Sequence, residues 1–83
     1  MSDQNKLAIL NAISKETTVG IPVRLNYNSL VKALDLSKQN LNELLTELNK
    51  LRFISQYAKK GVDSFTVVLN QKGLDAVQDE SFI

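Results

Sequence analysis

The stretch from Ser37 to Ile54 restricts the fold of this chain more than any other. Leu41, Leu44, Leu45, Leu48 and Arg52 recur at three- and four-residue spacing, so at about 100° per residue they share one side of an α-helix, with Leu51 flanking the stripe. Gln39, Asn42, Glu43, Thr46 and Lys50 project away from the leucines and make a narrow face rich in amides and hydroxyls, where a merely solvated face is more often Glu and Lys. Ser37 supplies the cap, because its hydroxyl can accept from a backbone N–H of the first turn that otherwise has no partner. The spacing therefore predicts a helix over 37–52 that exits into a strand at Phe53-Ile54.

The flanking segments read as supports for that helix. Residues 26 to 36 give a second short helical pattern, with Asn26 as cap and Leu30, Val31 and Leu34 on its apolar side. Lys6 to Glu16 predicts a first helix, capped by Ser2 or Asp3. Ile9, Leu10 and Ile13 face its core, and Leu7, Ala8 and Ala12 widen the apolar arc beyond what one interface needs. Thr17-Thr18-Val19-Gly20 breaks that helix, and Pro22 confines the strand expected over 21–25 to a sheet edge. Two further strands, 54–59 and 64–69, are rich in β-branched and aromatic residues and flank a turn at Lys60-Gly61-Val62-Asp63. A last helix runs from an Asn70 cap through Val77, with Gly73 inside it and Leu74 and Val77 facing inward. The class is α+β, in the order helix, strand, helix, helix, strand, strand, helix, within a single domain over 1–83 that ends in a short acidic tail at about 78–83.

Composition removes most chemistries. With no cysteine and no histidine, disulfides, thiolate and imidazole catalysis and the usual zinc-ligand sets are excluded. No Gly-rich phosphate loop or paired-carboxylate spacing occurs, so neither an enzyme nor a cofactor or metal site is expected. Glu43 and Glu47 sit one turn apart, but Glu43 reads better as part of a binding face and Glu47 as a partner of Lys50. No signal peptide or membrane span is legible, and a cytoplasmic location is expected. Net charge is +1, unevenly spread: the ten basic residues all precede Asp75, against six acids there, while Asp75, Asp79 and Glu80 make the tail acidic.

From Leu30 to Ile54, the short helix, tight turn, capped leucine-rich helix and strand exit resemble a winged helix-turn-helix domain. Phe65 to Val77 is similar to the strand-then-helix close of MarR-like members, a Leu-Thr-x-x-Gly pattern in which Asn70 replaces Thr. The resemblance spans roughly residues 7 to 78. It implies a winged-helix fold with a three-helix core and small antiparallel sheet, and sequence-specific binding of double-stranded DNA by a small transcriptional regulator. The 37–52 helix would enter the major groove, and the 59–63 hairpin would act as the wing. The DNA-binding residues it implies are Ser37, Lys38, Gln39, Asn42, Glu43, Thr46 and Lys50 on the main helix, Lys32 on the helix before it, and Lys59 and Lys60 at the hairpin. On that resemblance Gln39 and Asn42 would be the adenine readers and Glu43 would accept from cytosine N4. The stretch matching the arginine often carried by the returning strand of the wing is Asp63-Ser64-Phe65, so no minor-groove arginine is expected.

Lys38, Glu43 and Glu47 leave the start of the main helix at −1, so phosphate attraction must come from Lys32, Arg24, Lys50, Lys59 and Lys60 around it. A lone copy would bind modestly, and a homodimer formed through the first helix and Phe82-Ile83 is expected. The near-neutral helix face keeps open an alternative: a winged-helix module that binds protein and not DNA.

Overall fold

The computed structural model describes residues 2–80 and forms four helices and a three-stranded antiparallel sheet among them: α1 (Ser2–Glu16), β1 (Val23–Asn26), α2 (Tyr27–Leu34), α3 (Lys38–Lys50), β2 (Ile54–Lys60), β3 (Ser64–Leu69) and α4 (Gln71–Asp79). The architecture is α+β, in the order the apolar periodicities predict. Phe82 and Ile83, invoked above for dimerisation, lie outside the described residues. No helix among the described residues is long and apolar enough to cross a membrane.

The sheet order is β1-β3-β2, so β1 is an edge strand. It starts after Pro22, whose missing N–H would be a defect inside a ladder. Helix α1 begins at Ser2, which places Asp3 within the helix and not at its cap. Ile9, Leu10 and Ile13 of α1, Leu41, Leu45 and Leu48 of α3, and Ile54 and Phe65 of the sheet are fully buried in one core. Leu44, at the side of the α3 stripe, is only partly buried against that core.

Two caps fix how α2 and α3 meet. Asn26 Oδ1 accepts from the backbone N–H of Asn28, and Ser37 Oγ from that of Asn40 at 3.1 Å. Between them Asp35 adopts the left-handed conformation, φ 54°, and its N–H closes onto the Val31 carbonyl. Asn70 stands at the N-cap of α4 but makes no side-chain cap bond. Its amide instead bridges Ser55 Oγ and the Arg52 carbonyl. Helix α4 runs on to Asp79, two residues beyond the expected end.

The periodicity also overextends the main helix. It stops at Lys50, and Arg52, placed above on its apolar stripe, lies in a left-handed turn at φ 72°. Leu51 is 42% exposed. The stop is closed locally, the N–H groups of Arg52 and Phe53 donating to the Asn49 and Leu48 carbonyls at 3.2 and 3.0 Å, and from α4 Lys72 Nζ donates to the Leu51 carbonyl at 2.8 Å while lying over the Phe53 ring. That satisfies one of the carbonyls every helix end leaves open. Gly73 lets α4 approach this closely, since a Cβ there would stand 2.3 Å from the Phe53 carbonyl oxygen.

Candidate nucleic-acid interface

The site is built around an irregularity in β2. Ser55 pairs with Val68 and Ala58 with Thr66, so Gln56 and Tyr57 together face the single residue Val67, a β-bulge in which Gln56 takes φ 54°. Alternation from the buried Ile54 would otherwise turn Tyr57 outward; the extra residue reverses the phase and aims it at the helices. There its ring packs edge-on to Phe65 at 5.5 Å, its hydroxyl meets that of Tyr27 at 2.5 Å, and it donates to Asn42 Oδ1 at 2.6 Å. Asn49 Oδ1, two helical turns beyond Asn42, accepts the Tyr57 backbone N–H at 3.3 Å. One face of α3 is thereby clasped to the hairpin strand. Burial, reinforced by the hydrogen bond with Tyr27, pushes the Tyr57 phenol far above its ordinary value.

This geometry corrects the position assigned to Asn42. It is half-buried on the sheet side of α3 and not on the open face, and its carbonyl oxygen is committed to Tyr57. A bidentate pairing with adenine needs that oxygen as acceptor as well as the amide nitrogen as donor. Gln39 is exposed in the first turn, 3.4 Å from Glu43 Oε1 through its amide nitrogen. Glu43, Thr46 and Lys50 are exposed as expected, and the Thr46 hydroxyl bonds back to the Asn42 carbonyl. Glu47 does not pair with Lys50: its Oε1 takes the ammonium of Lys6, a lysine buried on α1, at 2.9 Å. That lysine sits among apolar residues of the first helix, where periodicity alone gave no reason to seek a partner for α3.

Lys38 is also drawn inward. Its Nζ donates to the Val62 carbonyl at the hairpin tip at 2.8 Å, stands 3.8 Å from Asp63 Oδ1 and lies over the Tyr27 ring. The lysine thus joins the N-terminus of α3, capped by Ser37, to the tip of the β2–β3 hairpin. Lys59 and Lys60 are both exposed at the end of β2. Lys59 pairs with the buried Phe65 and Lys60 with Ser64, so strand alternation sends the two side chains to opposite faces of the hairpin, Lys59 to the face shared with α3. Lys32 is exposed near the end of α2 and is tied neither to α3 nor to the hairpin by a hydrogen bond or ion pair among the described residues.

The resulting surface joins an amide, hydroxyl and carboxylate row on α3 to a cationic hairpin. Such an arrangement can hydrogen-bond an edge-on planar ligand while neutralising a neighbouring anion. No protein-family model matches the chain, and neither a curated protein nor a solved structure is significantly similar to it.

Proposed function

We propose that this chain is a winged-helix protein that binds double-stranded DNA, with α3 in the major groove and the β2–β3 hairpin as wing, in the role of a small transcriptional regulator. The observation that carries the reading is the Lys38 bridge to the Val62 carbonyl, which makes the open face of α3 and the hairpin one continuous surface. Rigid attachment matters because base edges are discriminated only by side chains held in fixed register, while phosphate contacts set that register. Gln39 is the foremost base reader, Glu43 and Thr46 stand one and two turns from it, and Lys50, Lys59 and Lys32 supply charge to the backbone. Asn42 belongs to the scaffold that holds the reader. Pairing of two copies through the half-buried Leu7, Ala8 and Ala12 of α1 would give the two half-sites that useful affinity needs.

The test is selection of a preferred duplex from a random pool, followed by Gln39→Ala. The reading expects a loss of about 1 to 3 kcal/mol on the selected site and little change on unrelated duplex. The same loss on every duplex would make Gln39 a backbone contact, and no enrichment at all would remove the specificity claim. A protein-binding role has one observation in its favour: Glu43 is exposed on α3, is in no ion pair among the described residues and opposes phosphate.

A further inference from the structure

Arg24 stands on β1 opposite Thr66, which puts its side chain on the sheet face turned away from Phe65 and the helices. Its Nε and Nη2 both donate to Ser64 Oγ, at 3.2 and 3.0 Å, and that hydroxyl donates in turn to the Lys60 carbonyl. Ser64 pairs with Lys60 across the hairpin, so the Lys60 side chain shares this face with Arg24. Among the described residues neither cation meets a carboxylate: the ion pairs are Lys6 with Glu47 and Lys38 with Asp63. A guanidinium carries five N–H donors in a rigid fork, and the serine engages two of its nitrogens on one side, leaving the rest of the fork open.

An arginine that only keeps an edge soluble needs no anchoring, whereas one that receives an anion loses less rotamer freedom on binding if it is already held. We propose that Arg24 and Lys60 form a phosphate clamp on the hairpin face away from α3, with Ser64 as the positioning residue that orients the guanidinium. The inference rests on the DNA-binding reading and extends it, because phosphates then flank the hairpin on both faces, met by Lys59 on one and by Arg24 with Lys60 on the other. The guanidinium absent from the returning strand is supplied by the first strand of the sheet.

The experiment is fluorescence anisotropy of a labelled random-sequence duplex of about 20 base pairs over a salt series, with the unaltered protein, Arg24→Ala, Arg24→Lys and Ser64→Ala. At ~0.9 per phosphate contact, Arg24→Ala flattens the plot of log affinity against log salt by about 0.9. Arg24→Lys keeps the slope but binds more weakly, since an ammonium has no fork. Ser64→Ala keeps the slope and loses several-fold in affinity, a pattern that a purely structural serine would not give when the melting temperature is unchanged. If the unaltered protein binds and Arg24→Ala leaves its slope intact, the clamp is wrong while DNA binding stands. If the unaltered protein does not bind even at the lowest salt, the DNA reading itself fails and the clamp falls with it.

Discussion

The hydroxyl of Tyr57 reaches Oδ1 of Asn42 across 2.6 Å and ties the second strand of the hairpin to the middle of α3. Tyr57 also donates its backbone N–H to Asn49 Oδ1 and shares its hydroxyl with that of Tyr27, so strand, helix and the start of α2 meet at one residue. Asn42→Ala leaves the part-buried phenol without its acceptor and should cost about 1 to 3 kcal/mol. For a domain of this size that is a fall of roughly 4 to 24 °C in melting temperature. Gln39→Ala, on the open face, should leave the melting temperature unchanged. A double-mutant cycle with Tyr57→Phe checks the origin: a coupling near zero would mean that the two groups do not share the bond.

The same phenol makes stability fall at alkaline pH. Its folded pKa lies well above its ordinary value of 10.0, with burial as the first cause, so the folded state holds the proton more tightly than the unfolded chain does. Its contribution is complete below pH ~10 and is lost progressively as pH rises above it. Urea unfolding at pH 8 and at pH 10.5 should show a smaller alkaline loss in Tyr57→Phe than in the unaltered protein. Equal losses would place the phenol in water.

Lys6 and Glu47 supply a second internal tether, between α1 and α3. The lysine is buried and the glutamate half-exposed, so Glu47→Gln strands a charge in the core while Lys6→Met removes it. The first change should destabilise by about 1 to 3 kcal/mol and the second by less, in spite of its larger chemical alteration. Thermal melts of both variants decide the order.

Gly73 tests the packing of α4. Alanine is intrinsically the better helix former, yet its Cβ would stand 2.3 Å from the Phe53 carbonyl oxygen and 2.9 Å from Leu69 Cδ1. Gly73→Ala should therefore lower stability by about 1 to 3 kcal/mol, the usual cost of overpacking. A melting temperature equal to or above that of the unaltered protein would show that α4 can shift away freely.

Much of the fold was legible because its signals are local. The leucines of α3, the Ser37 and Asn26 caps and the β-branched strands declare themselves within a few residues, and the elements follow in the expected order. The bulge at Gln56-Tyr57 was not legible, since neither residue is a glycine that would mark a left-handed turn, and it reverses the faces of everything after it in β2. That reversal brings Tyr57 onto Asn42 and puts Lys59, and not Lys60, on the face shared with α3. The end of α3 was misread for a related reason: Arg52 continues the helical spacing by chance but closes the helix in a left-handed turn that no glycine marks, and the Lys72 contact on the Leu51 carbonyl comes from 20 residues further on, counting from Arg52. Of the candidate site, the exposed row on α3 is visible in the sequence; the bonds from Lys38, Arg24 and Lys6 depend on which strands and helices become neighbours.

On the proposed reading, the joined face of α3 and the hairpin binds the DNA backbone and reads bases beside it. The measurement that tests it most directly is equilibrium binding of a random-sequence duplex at about 50 and 200 mM salt. With about four phosphate contacts, the affinity should fall roughly a hundredfold between the two. Absence of binding at the lower salt, or binding that is indifferent to salt, would contradict the account and leave the α3 face as a surface for protein.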